Sequence, residues 1–162
     1  MTVHRIEVRP APKAGDPVGA AALETIRAAH LSPEPDHIDT ARVYLVEGEL
    51  DADAIDRLAG ELLSHPVTDE VVVGASRAYA TGLIEVHPLP GVMDPDALVV
   101  ESAVEAMLGA SVRVRTGIRY DMHGVSSDDA QRIADACLAN TLVHDIHTRP
   151  HHPDAFPAGH DH

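Results

Sequence analysis

Apolar and polar residues alternate along several stretches of the chain with the period of two that is typical of β-strands. The clearest stretch covers residues 112–122, where the even positions carry Val, Thr, Ile, Tyr and Met and the odd positions carry most of the charges. First strands are predicted at about 3–9 and 82–88, because both stretches alternate and end at prolines. Short last strands are predicted near 71–73 and near 142–143.

Helical periodicity fills the segments between these strands. Asp16-Pro17 and Asp94-Pro95 each predict a helix start, with Asp as N-cap and Pro at the first helical position. Two further helices are predicted after Asp51 and after Ser126-Ser127. Apolar residues recur at helical spacing in all four segments, so each predicted helix has one face for a core.

The same order of elements occurs twice. Ile6-Glu7-Val8 is echoed by Ile84-Glu85-Val86 at an offset of 78 residues, and Thr40, Tyr44 and Gly48 are echoed at an offset of 76. We therefore predict an α+β fold of two tandem β-α-β-α-β units, residues 1–76 and 82–148, packed as an intrachain pseudo-dimer. Helical crossovers predict parallel consecutive strands with room between them for a strand from the other unit. Residues 149–162 are predicted to form a disordered, His- and Pro-rich tail.

Composition limits the kinds of function. The chain has 162 residues and a net charge of −14, which argues against nucleic acid as a partner. Cys137 is the single cysteine, so neither an internal disulfide nor a cysteine-based zinc site is available. No stretch has the apolar length of a membrane span or of a signal-peptide core, so we expect a cytoplasmic protein without membrane contact.

Residues for catalysis are not evident in the sequence. It has no glycine-rich phosphate loop and no nucleophile motif, and Cys137 lies on an apolar helix stripe where a core role is expected. We therefore predict no catalytic and no cofactor-binding residues.

Three motifs carry a resemblance to a known family. Gly91-Val92-Met93-Asp94-Pro95, Val114-Arg115-Thr116-Gly117 and Leu138-Ala139-Asn140-Thr141 resemble, in this order, motifs of the PurS family, the small subunit of phosphoribosylformylglycinamidine synthase. Residues 3–76 are similar but looser: they keep Asp16-Pro17-Val18-Gly19 and lack the preceding Gly-Val. The tandem arrangement also resembles the N-terminal portion of single-chain synthetases.

The resemblance implies a non-catalytic assembly subunit in purine biosynthesis. Such a subunit bridges a glutaminase and an ATP-dependent synthetase so that ammonia passes between them, and ATP, magnesium and glutamine bind the partners. The resemblance is also compatible with further homo-oligomers of this chain. Two alternatives remain open: a metal-handling protein that carries a His-rich tail, and a small-ligand sensor that uses the cleft between the repeats.

Two groups of polar residues are candidate sites. Arg113, Arg115 and Arg119 share one face of a predicted strand, where they could dock an acidic partner or a phosphate group. The alternative, which we favour, is a solvated face whose charges balance nearby acids.

The histidine-rich tail is the second group. His151, His152, His160 and His162 are weak metal-ligand candidates, since no rigid scaffold is predicted there. His144 and His147 are not added to this group, because residues three apart on a strand point to opposite faces.

Overall fold

One antiparallel sheet of six strands organises the part of the chain that the structure, a computed structural model, describes, which is residues 2–77 and 80–156. The strands are β1 (Val3–Pro10), β2 (His37–Glu47), β3 (Asp69–Val73), β4 (Gly82–Pro88), β5 (Arg113–His123) and β6 (His144–His147). Their order in the sheet is β3-β1-β2-β5-β4-β6.

Four helices lie between these strands. They are α1 (Pro17–Ala28), α2 (Ala52–Arg57), α3 (Pro95–Leu108) and α4 (Ser127–Ile133). Five-residue π-helical turns, Leu58–Leu62 and Ala134–Leu138, extend α2 and α4. The predicted element order is confirmed along the chain, but the last strand predicted near 142–143 begins only at His144 because residues 140–143 form a turn.

The central pair of strands, β2 and β5, has a symmetric register. Arg42 faces Ile118, which is 76 residues further along the chain, and Tyr44 faces Thr116 just as Thr40 faces Tyr120. The outer pairings β1–β2 and β4–β5 follow the same register when the sequence offsets are applied. With β1, β2 and β3 taken as equivalent to β4, β5 and β6, the strand order is therefore the same from either edge of the sheet.

The predicted parallel arrangement of consecutive strands is wrong. β1 and β2 are antiparallel neighbours, and so are β4 and β5, with no foreign strand between them. Asp16, which caps α1, accepts hydrogen bonds from Thr40 near the start of β2, so helix and strand begin at the same end of the sheet. α1 and residues 29–36 return the chain to that end before β2 begins, so β1 and β2 run in opposite directions and the parallel expectation fails.

Each long helix packs on the central strand of its own half and also on residues of the other half. Ala22 and Ile26 of α1 lie in a core with Ile84, Tyr120 and Met122 of the second half. Ala97 and Val104 of α3 lie in a second core with residues of the first half, namely Ile6, Val8, Tyr44, Val46, Ile55 and Leu58. The two halves therefore share both cores.

The two Asp-Pro helix starts have the same local structure. Asp16 Oδ1 accepts a hydrogen bond from Gly19 N (2.8 Å), and Asp94 Oδ1 accepts one from Ala97 N (3.1 Å). Asp94 also accepts bonds from the backbone N and hydroxyl of Thr116, as Asp16 does from Thr40. The predicted N-caps are confirmed, and each also ties its helix to a central strand.

Helices cover one face of the sheet, and two irregular segments cover the other. Residues 74–77 lie over β1 and β5, where Gly74 O accepts from Arg5 Nε and Ser76 O accepts from Arg119 Nη1. Residues 149–156 cross the same face and bury Phe156, which is 6% exposed. The predicted disorder of the tail is therefore wrong for residues 149–156, while His160 and His162 lie outside the described residues.

In the described residues, no helix has both the length and the apolar character needed to cross a membrane.

Candidate functional site on the helix-free face of the sheet

A buried ionic cluster occupies the centre of the helix-free face. Arg5 Nη1 donates to Glu85 Oε1 (2.9 Å), and Arg5 Nη2 donates to Glu7 Oε2 (2.6 Å) and to the second oxygen of Glu85. Arg119 Nη1 donates to Glu7 Oε2 (2.8 Å). These four side chains are fully buried and come from strands β1, β4 and β5.

The rim of this cluster completes its charge balance. Arg119 Nε donates to Asp121 Oδ1 (2.9 Å), and Arg9 Nη2 donates to Asp121 Oδ2 (2.9 Å). With these two residues the cluster holds three arginines and three carboxylates. Buried charges are tolerated only when they are paired in this way, so the cluster fixes the relative positions of the strands that carry it.

The neighbouring cations hold both glutamates in their ionised form. Burial acts to raise the pKa of Glu85, but hydrogen bonds from His87 and Arg5 outweigh it and lower the pKa to about 2. Burial likewise acts to raise the pKa of Glu7, and its bonds from Arg5 and Ser76, with the charge of Arg119, lower it below the ordinary value. Both carboxylates therefore stay charged through the physiological range.

The three arginines predicted to dock a partner or a phosphate differ in their surroundings. Arg119 is 0% exposed and is covered by residues 74–77, so neither docking nor a solvated setting fits its guanidinium. Arg113 and Arg115 are partly exposed, and their guanidinium carbons lie 5.5 and 5.2 Å from the ring centroid of Phe156. For these two, docking stays a prediction.

Residues 149–156, which we name the C-terminal strap, are held by hydrogen bonds along their length. His151 O accepts from Arg5 Nη1 (2.8 Å), and His151 N donates to Glu85 Oε1 (3.1 Å). Phe156 N donates to Glu47 Oε2 (2.8 Å), and the ring of Phe156 packs with Val3, Val43 and Leu45. The strap is therefore part of the folded domain.

Three histidine rings meet where the strap passes the end of the sheet. The rings of His147 and His151 are stacked, with centroids 3.9 Å apart, and His87 lies 5.5 and 5.0 Å from them. Burial is the main cause that lowers the pKa of His147 and, to about 4, that of His151. His147 thus joins a tail histidine, contrary to the prediction, whereas His144 faces the helix side of the sheet.

Beside these rings is a cleft of about 150 Å³. Its polar lining includes the three histidines and Arg115, and its apolar lining includes Leu45 and Phe156. Of the predicted metal candidates, His152 instead bonds Val3 O through Nε2 (2.7 Å). Within residues 2–77 and 80–156, no group of three or more His, Cys, Asp or Glu side chains is placed to hold a metal ion.

Two of the three motifs that the sequence singled out meet beside this face. Asp94 of the first motif is bonded to Thr116 of the second, with Thr116 N donating to Asp94 Oδ2 (2.8 Å). A groove next to them is lined by Met93, Leu98 and Arg113, and Met93 is 77% exposed. Leu138 of the third motif lines a separate groove with Thr116 on the helix side.

Sequence reasoning missed most of the ionic cluster. Arg5, Glu7 and Arg9 alternate with apolar residues in β1, a pattern that predicts only a half-buried strand. Their burial depends on residues 74–77 and on the strap, which approach from distant parts of the sequence. Cys137, expected in the core, is partly buried against the core that contains Ile84, Tyr120 and Met122.

Comparison with known proteins assigns the second half of the chain. Residues 82–151 match the model of the PurS family, described as phosphoribosylformylglycinamidine (FGAM) synthase. No curated protein matches the sequence. The matched segment runs from the start of β4 to the strap and includes β5, the cleft histidines and all three motifs. The similarity to the PurS family of FGAM synthase therefore covers residues 82–151 of this chain.

Proposed function

We propose that this chain is a non-catalytic assembly subunit of FGAM synthase. It holds a glutaminase and an ATP-dependent synthetase together so that ammonia passes directly from one to the other. The single observation that carries the proposal is the PurS match over residues 82–151, with the glutamine and ATP chemistry assigned to the partners.

The proposal includes a pseudo-dimer within the chain, in which residues 1–76 are a second, diverged PurS-like unit. The symmetric register around Arg42 and Ile118 supports it, as do the duplicated contacts of Asp16 with Thr40 and of Asp94 with Thr116. The packing of α1 and α3 against residues of both halves also supports it, because each half then depends on the other for its core.

We place one partner contact at the groove beside the first PurS motif. Met93 and Leu98 are 77% and 54% exposed there, and Arg113, which pairs with Glu47, stands at the groove wall. Exposed apolar side chains next to an arginine are typical of protein interfaces. The groove suits a partner surface that presents an apolar side chain.

The test is a reconstitution with the glutaminase and synthetase of the same source. With ammonium as nitrogen donor, the synthetase is expected to form the amidine without this chain. With glutamine as donor, product formation is expected to require it. Glutamine-dependent synthesis at full rate in its absence would contradict the proposal.

A pair of matched variants tests the groove in the same assay. Met93→Asp is expected to weaken glutamine-dependent synthesis and co-purification of one partner, because a charge replaces an exposed apolar contact. Val67→Asp is the control, since Val67 is 78% exposed and lies in the first half. Equal effects of the two variants would remove the groove from the proposal.

A further inference from the structure

Arg115 differs from the other arginines on the helix-free face of the sheet. Arg5, Arg9, Arg113 and Arg119 each pair with a carboxylate. Arg115 makes no such pair within the described residues, and its buried Nε has no hydrogen-bond partner. Buried polar groups in folded proteins are nearly always satisfied, so an orphaned donor beside a cleft indicates a missing acceptor.

The walls of the cleft supply further donors. Within the part of the chain that the structure describes, neither the ring of His147 nor the ring of His151 makes a hydrogen bond. The ring of His87 bonds Glu85 through Nε2 (2.8 Å). The neutral imidazole has an N–H that can donate, and the protonated ring has two. The cleft therefore brings a guanidinium and two available imidazoles to one small volume.

Two carboxylates, Asp94 and Asp145, also line the cleft. Asp94 has both oxygens occupied by Thr116 and by the N-terminus of α3. Asp145 is exposed at the opening. A metal ion does not suit a site that includes a guanidinium, because the cation repels it.

We propose that this cleft binds a small oxyanion, a carboxylate or a phosphate group, between Arg115 and the stacked pair His147 and His151. The planar fork of the guanidinium matches either anion with two parallel hydrogen bonds. A cleft of about 150 Å³ accommodates such a group with a few further atoms. Leu45 and Phe156 provide the apolar wall that keeps bulk water from competing.

The site is complete only when the C-terminal strap lies on the sheet. His151 and Phe156 belong to the strap, whereas Arg115 and His147 belong to the sheet. Anion binding therefore fastens the strap to the sheet. This proposal does not depend on assembly with FGAM synthase subunits, because it concerns a ligand of the isolated chain.

The test uses the full chain with ¹⁵N-labelled histidine, titrated separately with inorganic phosphate and with acetate at constant ionic strength. Saturable shifts of the His147 and His151 resonances are expected with at least one anion. Saturation by phosphate alone assigns a phosphate ligand, and saturation by acetate alone assigns a carboxylate. No saturable shift with either anion overturns the proposal.

Variants locate the anion. Arg115→Gln is expected to weaken binding about tenfold or more, since hydrogen bonds to a charged group are lost. Arg115→Lys is expected to retain part of the affinity, because the charge remains and the fork is lost. Arg113→Gln, the control, also removes an arginine beside Phe156 but lies outside the cleft and leaves affinity unchanged. Equal affinities of wild type and Arg115→Gln would overturn the proposal.

Discussion

The imidazole of His87 lies directly over Gly117, at the place where any other residue would carry its side chain. A Cβ at position 117 would come within 2.3 Å of His87 Cε1 and Nδ1. Glycine is therefore required here for close approach. In the first half, the equivalent position is Ala41, which is buried.

Gly117→Ala is expected to reduce the free energy of unfolding by about 1–3 kcal/mol, because the methyl group forces the His87 ring out of its place. Urea unfolding at pH 7 measures the loss. Gly60→Ala is the matched control: nothing lies within 4 Å of its added Cβ, and alanine favours a helix by about 0.5–1 kcal/mol. A neutral Gly117→Ala would mean that the ring is not packed on the strand.

Local patterns in the sequence predicted the elements and their caps. The Asp-Pro pairs define helix starts through contacts three residues away, and strand alternation is a property of neighbouring residues. The direction of β1 relative to β2 was not predictable in this way, since it depends on where α1 finds its apolar partners. The ionic cluster was missed because Arg5 and Glu85 are 80 residues apart, and the strap because its anchors lie on other strands.

Removal of Arg5 is expected to be strongly destabilising. Arg5→Met leaves Glu7 and Glu85 buried with one fewer cation, and breaking a buried ion pair in this way costs about 3–5 kcal/mol. Urea unfolding at pH 7 measures the loss. The double variant Arg5→Met/Glu85→Gln is expected to recover part of it, because one uncompensated charge is removed.

The control for this experiment is Arg57→Met. Arg57 pairs with Glu61 on the helix surface, and both side chains are more than half exposed. Exposed pairs of this kind contribute less than about 1 kcal/mol. If Arg5→Met were no more costly than Arg57→Met, the buried cluster would not hold the strands together.

Stability is expected to fall as the pH decreases from 6.5 towards 4. Burial, with the nearby positive charges, lowers the pKa of His151 from 6.5 to about 4, so the unfolded chain takes up a proton that the folded chain does not. Stability from this residue is therefore present above 6.5 and lost towards 4. The pKa of Glu85 is lowered from 4.5 to about 2, so folding stability decreases further as the pH falls from 4.5 to 2.

Urea unfolding at pH 7 and pH 5 largely separates the histidines from Glu85, which is mostly ionised in both folded and unfolded chains over that range. His151→Asn is expected to reduce the difference between the two pH values. Ala155→Ser keeps the strap and its histidines, so its pH dependence should equal that of wild type. An unchanged difference in His151→Asn would contradict this assignment.

Separated halves of the chain are not expected to be stable monomers. A fragment of residues 78–162 lacks the apolar partners that Ala97 and Val104 of α3 have in the first half, including Ile6 and Val46. A second copy of the same fragment can supply similar strands in the symmetric register, so this fragment is expected to form a homodimer. Mixing it with residues 1–77 should yield a one-to-one complex. Light scattering after size-exclusion chromatography measures these masses, and two stable monomers would contradict the interdependence of the cores.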